Sequence, residues 1–315
     1  MIKAQPRKQR GVALITAVLI VALVTAAAVA MASKQQFDIR RTANIFNNDI
    51  AYQFALGAED YARNVLEWDI TKDGSTTDHL GENWAQDVAV PVEEAMLTGS
   101  MQDMQGRINL NALVKADGAA NALMLKRFEN LLQLLDLDQG IARAVLDWID
   151  ADINPGFIGG AEDDYYMLQI PPYRAANRLM ASVSELLLVK GIDYESYQLL
   201  QPHVSALPDI NSKINVNTAS AEVLAALANT LTVADGEALI ETRSDNGFAK
   251  IEDFTHALEQ LGEHNYDPAF LDVSSDYFLI SAMAEFDQSI ARLYSLVHRN
   301  KTGGVRVVMR SRGAY

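Results

Sequence analysis

The chain has 315 residues, with 26 Lys or Arg and 41 Asp or Glu, so its formal net charge at pH 7 is −15. Such an acidic chain is repelled by phosphate groups, which disfavours nucleic acid and anionic lipid as partners. It contains no cysteine, which excludes a disulfide framework and a thiolate metal site. Its length indicates roughly two domains.

The N-terminal segment predicts a membrane helix. Its first ten residues contain four basic and no acidic side chains: Lys3, Arg7, Lys8 and Arg10. Residues 12–32 follow without a charge, and as a helix they would span about 31 Å, close to the hydrocarbon thickness of a bilayer. Because cationic flanks stay cytoplasmic, the rest of the chain should lie outside. The alternative is a secretory signal cleaved after the small residues at 28–32.

The apolar pattern continues past the membrane run at spacings of three and four. Its members are Ile39, Ala43, Phe46, Ile50, Phe54, Ala58, Tyr61 and Val65. Residues 12–68 contain no proline and one glycine, Gly57, so we predict a single helix of roughly 85 Å. A helix that continues this far argues against removal of the apolar run.

Strands are predicted on both sides of a helical region. The polar residues 69–81 indicate a loop, after which 95–101 and 107–110 are predicted as a hairpin that turns at Gly106. The C-terminal strands are predicted at 277–285, 289–299 and 305–310. Helical periodicity dominates between about 113 and 272. One sheet closed around a helical insertion is the arrangement that follows.

An acidic loop is the strongest candidate for metal chemistry. Asp150, Asp152 and Asn154 alternate along the chain, and a second acidic cluster returns at 162–164. Calcium binds six to eight such oxygen ligands. An EF-hand is rejected because Pro155 occupies the position of its turn glycine and Glu162 comes one residue late. The loop composition alone leaves a solvated acidic loop and a metal site equally open.

Two other functional classes find little support. Residues 214–219 resemble the opening of a helix-hairpin-helix module, in which Asn217 or Thr218 would cap the next helix and a second helix would begin within 238–248. The intervening turn, 230–236, has no Lys or Arg for phosphate, so we predict a unit for packing and protein contact, not for DNA. The histidines are scattered and no nucleophile elbow occurs, so no enzyme is predicted.

The leader resembles that of type IV pilin-like proteins. The segment Arg10-Gly11-Val12-Ala13-Leu14-Ile15-Thr16 precedes an unbroken apolar helix, and the resemblance implies that a prepilin peptidase cuts between Gly11 and Val12. The family usually has a glutamate at the fifth mature position, where this chain has Thr16. That departure resembles the minor pseudopilin K family of type II secretion systems.

Motifs along the chain strengthen this resemblance by their joint order. They are the segments 106–111, 146–152, 160–166, 171–173 and 184–186. The resemblance implies a pilin-like fold, no small-molecule substrate, and a pseudopilus tip shared with minor pseudopilins of the I and J types above an inner-membrane secretion platform. It also implies Ca²⁺ in the helical region, for which the candidate ligands are Asp150, Asp152, Asn154, Glu162, Asp163 and Asp164.

Thr16 has a physical meaning for assembly. A charge inside a bilayer is costly unless it is paired, so a subunit without the glutamate cannot offer a partner to another subunit's terminal amine. Such a chain suits the end of a filament, where one neighbour is absent. Equally, a lone threonine can bond back to the preceding helical turn without any role in assembly.

We therefore predict an α+β protein in which a long pilin-like N-terminal helix packs on an antiparallel sheet that carries a large all-α insertion of the helix-hairpin-helix or SAM-like type. The predicted segments are a leader at 1–11, a transmembrane helix at 12–32, a pilin-like helix, loop and first strands at 33–111, the insertion at 112–272 and the final strands at 273–315. The predicted location is the bacterial inner membrane, crossed once, with a cytoplasmic N-terminus and a periplasmic body. Alternatives are a type IV pilus minor pilin and an exported helix-hairpin-helix binding protein.

Overall fold

The computed structural model describes residues 11–313 except 73, 93, 157–158 and 244–245. The basic leader predicted before Gly11 lies outside the described residues. The longest element is helix α1 (Val12–Thr71), which is uninterrupted because its only glycine, Gly57, is isolated and no proline occurs. The first forty residues of α1 are almost entirely exposed. The last twenty pack against a sheet.

Strands occur before and after a helical region. In the described part of the chain they are β1 (Val88–Val92), β2 (Ala95–Asp103), β3 (Ile108–Asn109), β4 (Val204–Ser205), β5 (Ile214–Asn215), β6 (Leu271–Asp272), β7 (Tyr277–Phe286), β8 (Ser289–Arg299) and β9 (Val305–Arg312). The helices after α1 are α2 (Ala122–Leu134), α3 (Gly140–Ile149), α4 (Asp163–Tyr166), α5 (Tyr194–Leu200), α6 (Ala221–Ala225), α7 (Val233–Arg243) and α8 (Ile251–Gln260).

The main sheet has the strand order β1-β2-β7-β8-β9, and all its pairs are antiparallel. β2 pairs with β7 along its whole length, from Ala95↔Phe286 to Asp103↔Phe278. All the helices after α1 lie between these two strands in the sequence. The predicted α+β architecture, a long N-terminal helix on an antiparallel sheet with an inserted helical region, is confirmed.

Small side chains allow α1 to approach the sheet closely. Ala51 and Ala55 of α1 are fully buried against Ala282, Ala284 and Leu293 of β7 and β8. About three turns after Ala55, a second cluster joins α1 to the sheet through larger side chains: Leu66, Trp84, Phe278, Ile280 and Val297. The helical region has a separate apolar core of its own, drawn from α2, α3, α6, α7 and α8. The two parts are thus separately packed.

A buried polar network connects the sheet to the helical region. Asp103, at the end of β2, accepts hydrogen bonds through one oxygen from Asn215 Nδ2 (2.9 Å), Ser275 Oγ (2.6 Å) and Thr218 Oγ1 (2.5 Å). Its other oxygen accepts the backbone N–H of Gln105 (2.7 Å). Burial nevertheless raises the pKa of Asp103. Each of these donors fixes one chain segment against the end of the sheet.

The predicted hairpin of residues 95–101 with 107–110 is wrong. β2 pairs with β1 and β7, whereas β3 pairs in parallel with β4. Gly106 is required for a close approach and not for a turn, because a Cβ there would lie 2.6 Å from Thr218 Oγ1 and 2.9 Å from its carbonyl oxygen. The glycine therefore marks where the helical region meets the sheet.

The helix boundaries predicted around residues 217–248 are also wrong. Ser220, and not Asn217 or Thr218, caps α6 by accepting the N–H of Val223. The Asn217 side chain instead bonds the backbone of Phe248 in both directions, at 2.7 and 3.0 Å. The predicted turn at 230–236 already contains the start of α7, and the next helix begins only at Ile251. Asn217 and Thr218 instead form hydrogen bonds with residues that are distant in sequence, and local capping rules cannot predict such contacts.

Candidate functional site

The acidic loop follows directly from the end of α3. Asp150 is the C-cap residue of that helix, so its side chain leaves the helix where the chain turns away. Single carboxylate oxygens of Asp150, Asp152 and Glu162 lie within 4.8 Å of one another. The structure thus brings together three of the six predicted ligands.

Asp147 of α3 holds the two limbs of this loop together. Its Oδ2 accepts the backbone N–H groups of Gly156 and Ala161, each at 2.8 Å. A Cβ at Gly160 would overlap both Asp147 Oδ2 and the Gly156 backbone, so glycine is required there. Asn177 fixes the loop from outside by donating Nδ2 to the Asp152 carbonyl (2.9 Å). The positions of the three carboxylates are therefore set by the surrounding fold.

The carboxylates are poorly satisfied within the described residues. Glu162 is 2% exposed, and neither of its carboxylate oxygens accepts a hydrogen bond there. Asp150 Oδ1 is likewise buried without a donor. Burial, followed by the nearby charges of Asp147 and other carboxylates, raises the pKa of Glu162 to about 7. Burial and the Asp152 charge raise the pKa of Asp150 to about 6.

The other three predicted ligands have different contacts. Asp163 pairs with Arg174 Nη1 (3.2 Å) and accepts the N–H of Ala175 (3.1 Å). Asp164 accepts the N–H of the next residue. Asn154 donates both its backbone and side-chain N–H groups to Asp152 Oδ1, at 2.7 and 3.2 Å. Sequence reasoning missed the role of Asp147, whose only local sign is its place one turn before Asp150.

A second group of carboxylates serves a different purpose. Asp69, Asp78 and Glu82 also bring oxygens within 4.8 Å of one another. The buried Arg299 guanidinium pairs with Asp69 and Asp78, however, and Glu82 accepts hydrogen bonds from Trp84 Nε1, Ser75 Oγ and a backbone N–H. Protein groups thus already neutralise or solvate these oxygens. The group is an ion-pair cluster.

The N-terminal part of α1 has the properties of a membrane anchor. Among the helices of the described residues, α1 alone is long and apolar enough to span a bilayer, and its most apolar 18-residue window has a mean hydropathy of 2.8 with no side chain buried. Gly11 precedes the helix as its N-cap and Val12 is its first residue. The Thr16 hydroxyl donates back to the carbonyls of Val12 (3.1 Å) and Ala13 (3.0 Å). A single-pass anchor fits these observations.

Comparisons with known proteins agree on one family. Residues 106–209 and 214–274 match two family models, both described as type II secretion system protein K. Type II secretion system protein K of Pseudomonas aeruginosa is 38% identical over 98% of this chain and 94% of its own length. The protein of the same name from Aeromonas hydrophila is 32% identical over 98% of both chains.

A solved structure extends the agreement to the fold. It is a chain of the GspK-GspI-GspJ complex of the type 2 secretion system of enterotoxigenic Escherichia coli, with a TM-score of 0.76 and 26% identity, over 87% of this chain and all of that one. The fold is thus shared over most of this chain along with the sequence. The chain therefore belongs to the type II secretion system protein K family, and it is a minor pseudopilin of type II secretion.

Proposed function

We propose that this chain caps the tip of the pseudopilus, together with minor pseudopilins of the I and J types, and helps to initiate assembly for the export of folded periplasmic proteins. The observation that carries the proposal is the helical region between β3 and β6, which has its own core and is attached at one end of the main sheet. We infer that rod-shaped subunits packed side by side within a filament would leave no room for such a region. The relative solved with GspI and GspJ supports the same set of partners.

Thr16 supports an end position in the filament. Its hydroxyl donates hydrogen bonds to backbone carbonyls of α1 itself. Because the residue is a threonine, α1 offers no carboxylate at this position that could pair with a neighbouring subunit's amine within the membrane. A subunit at the end needs one fewer neighbour than a subunit within the filament.

Export is the direct test of the function. Deleting the gene should abolish secretion of the system's exoproteins while leaving twitching motility unchanged, and the full chain supplied in trans should restore secretion. A type IV pilus minor pilin would give the reverse result. Tagged chain found along sheared pseudopili, and not at their ends, would contradict the tip position.

Location and processing follow from the anchor. The basic leader favours a cytoplasmic N-terminus. The chain would then cross the inner membrane once, beside the secretion platform, and its body would lie in the periplasm. Prepilin peptidase would cut between Gly11 and Val12 and leave the apolar helix in place. We expect N-terminal sequencing of the purified chain to begin at Val12, whereas removal of a secretory signal would leave a start near Ser33.

The acidic loop is proposed as a calcium site. Asp150, Asp152 and Glu162 would hold the ion, which would give the buried Glu162 carboxylate a charged partner where its oxygens accept no hydrogen bond from the described residues. Three carboxylates are hard oxygen ligands of the kind that calcium prefers, and backbone carbonyls or water would complete its shell. We expect calorimetric titration to detect calcium binding that Glu162→Gln abolishes.

The helix-hairpin-helix-like unit is proposed as a packing module. Gly236 of α7 allows contact with the Ala221 backbone of α6 so close that any Cβ would overlap it, which indicates a tightly packed helix pair. The pair carries Asp235 and Glu237 where a DNA-binding module would present basic residues. We propose no DNA-binding and no catalytic role for it.

A further inference from the structure

Two neighbouring chain segments connect the sheet to the helical region. The chain leaves the sheet through residues 104–107, between β2 and β3, and returns through residues 273–276, between β6 and β7. β2 and β7 are paired up to Asp103↔Phe278, so the two connections begin at adjacent positions of the sheet. Because the sheet and the helical region each have a core of their own, this pair of connections has the geometry of a hinge.

Buried polar side chains join the two parts at this hinge. We call them the joint, and they are Asp78, Asp103, Asn215, Ser275 and Arg299. Ser275 bridges two carboxylates, because its N–H donates to Asp78 Oδ2 (2.7 Å) and its hydroxyl donates to Asp103 Oδ2 (2.6 Å). From the helical region, Asn215 Nδ2 donates to Asp103 Oδ2 (2.9 Å) and to the Asp78 carbonyl (3.0 Å). The two carboxylates therefore lie close together where the sheet meets the helical region.

The joint carries more negative than positive charge. Arg299 pairs with Asp78 and also with Asp69 of α1, so its one guanidinium already serves two carboxylates. The donors that Asp103 accepts from are all uncharged groups. Carboxylates that are buried close together without a cation for each of them favour binding of a proton, which they then share. The joint is therefore a place where a proton is retained.

Other charged groups face the joint from the elements packed around it. In the loop after α1, His79 lies beside Glu82 (3.8 Å). Arg107, next to β3, and Arg243 of α7 donate to oxygens of uncharged groups. Charge balance within the joint therefore depends chiefly on Arg299. An open cavity of about 570 Å³ lies outside the joint, and water there screens the charged residues that line it: Asp209, Lys213, Asp272, Asp276 and Lys301.

The pKa values of the joint show which arrangement a proton favours. Burial raises the pKa of Asp78 to about 7, and the Asp103 charge adds to the rise, although Arg299 opposes it. Burial raises the pKa of Asp103 as well. If the helical region turned away, water would reach both carboxyls and their pKa values would return towards the ordinary 3.8. The closed arrangement seen in the structure thus keeps a proton that an open one releases, and this advantage is lost as pH rises to about 7.

We propose that the joint is a proton-dependent lock, closed when Asp78 and Asp103 share a proton and loosened when they lose it, so that the helical region turns about its two connections. The proton comes from water and returns to water, and no covalent bond of the chain other than O–H changes. Leu207 of the helical region packs with Leu279 and Leu296 of the sheet, which limits the movement to one that keeps this apolar contact. The lock does not depend on where the chain lies in a filament.

Distances between spin labels test the lock. The chain contains no cysteine, so the full chain in detergent can be labelled at Gln260→Cys on the helical region and at Gln288→Cys in the turn after β7, both exposed positions. We expect the distribution of distances to be at least twofold wider at pH 8.5 than at pH 5.5. The control is a pair within the helical region, Glu195→Cys with Gln260→Cys, whose distribution should stay the same. Widening of the control pair would mean that the helical region itself loosens, and it would overturn the proposal.

Two substitutions assign the effect to the joint. Asp103→Asn has the shape of the protonated carboxyl and no charge, and the hydroxyls of Ser275 and Thr218 can accept its N–H, so the distribution should stay narrow at both pH values. Asp78→Asn should give the same result and provides a second test if Asp103→Asn does not fold. Glu285→Gln removes an exposed carboxylate of β7 and should widen with pH as the parent does. Equal widths at both pH values in the parent, or widening in the folded Asn variants, would contradict the lock.

Discussion

Replacing Arg299 with leucine is expected to destabilise the sheet-bearing part of the chain by about 3–5 kcal/mol, because it strands buried carboxylates without their cation. The Arg299 guanidinium is 3% exposed and pairs with Asp69 of α1 (2.7 Å) and with Asp78 of the following loop. It also donates to the Ser275 carbonyl (3.1 Å) and stacks over Phe278. One side chain thus joins β8, the end of α1 and the approach to β7.

The measurement is thermal unfolding of the purified full chain in detergent. A loss of this size should lower Tm by on the order of 10 °C. Arg306→Leu is the matched control, because Arg306 is exposed on β9 and surface changes of this kind cost less than about 0.5 kcal/mol. If Arg299→Leu unfolded at the same temperature as the control, the ion-pair cluster would not contribute to the stability of the fold.

A double substitution tests the cause of that loss. The double variant Arg299→Leu/Asp78→Asn lacks one of the two buried carboxylates that Arg299 pairs with. Its Tm should therefore fall by less than the Tm of Arg299→Leu alone. Burial already raises the pKa of Asp78 to about 7 although Arg299 opposes the shift. An additive loss in the double variant would show that Arg299 acts through packing on Phe278 and not through charge.

The parts of the structure that the sequence predicted are those with a repeated local pattern. The spacing of Ile39, Phe46 and Ile50 predicted the continuing helix α1, and strand-like runs predicted β7, β8 and β9. The edge strand β1 was not among the predicted strands, since Pro91 interrupts its pattern. Proline is tolerated there because an edge strand leaves one side of its backbone unpaired.

The features that sequence reasoning missed depend on contacts across the chain. Arg299 meets Asp69 and Asp78 from 230 and 221 residues away, so nothing local distinguishes it from a surface arginine. Asp147 was missed for a related reason, since its partners are backbone N–H groups that any residue carries. For the acidic loop, composition predicted the region, but only the fold distinguishes Asp163, paired with Arg174, from the converging carboxylates.

The proposed calcium site predicts that stability depends on pH differently with and without the ion. In the metal-free chain, the pKa of Glu162 is about 7 when folded and 4.5 as its ordinary value. The folded state therefore binds a proton that the unfolded state has released, so stability falls as pH rises from about 4.5 to about 7. Asp150 adds a loss of the same sign up to about pH 6.

Calcium opposes this dependence because it binds the deprotonated carboxylates. Protons and the ion compete for the same oxygens, so the stabilisation by bound calcium grows as pH rises through the same range. In chelator we expect Tm to fall by roughly 5 °C between pH 5 and pH 7.5, which corresponds to about 2 kcal/mol. In excess calcium the fall should vanish or become a rise. Asp78 also titrates near pH 7, but it contributes equally to both curves and cancels in their difference.

Two variants assign the effect to the acidic loop. Glu162→Gln keeps the shape of the side chain and removes its charge, so the metal-free variant should be more stable than the parent at pH 7.5 and should no longer respond to calcium. Asp164→Asn is the matched control, because within the part of the chain that the structure describes Asp164 accepts the N–H of its neighbour alone and lies outside the converging carboxylates. It should respond as the parent does. Coincident curves in chelator and calcium would rule out the site. A full calcium response in Glu162→Gln would place the calcium site elsewhere in the chain. Glu162 is the carboxylate that the ion would stabilise most, because it is buried and neither of its oxygens accepts a hydrogen bond from the described residues.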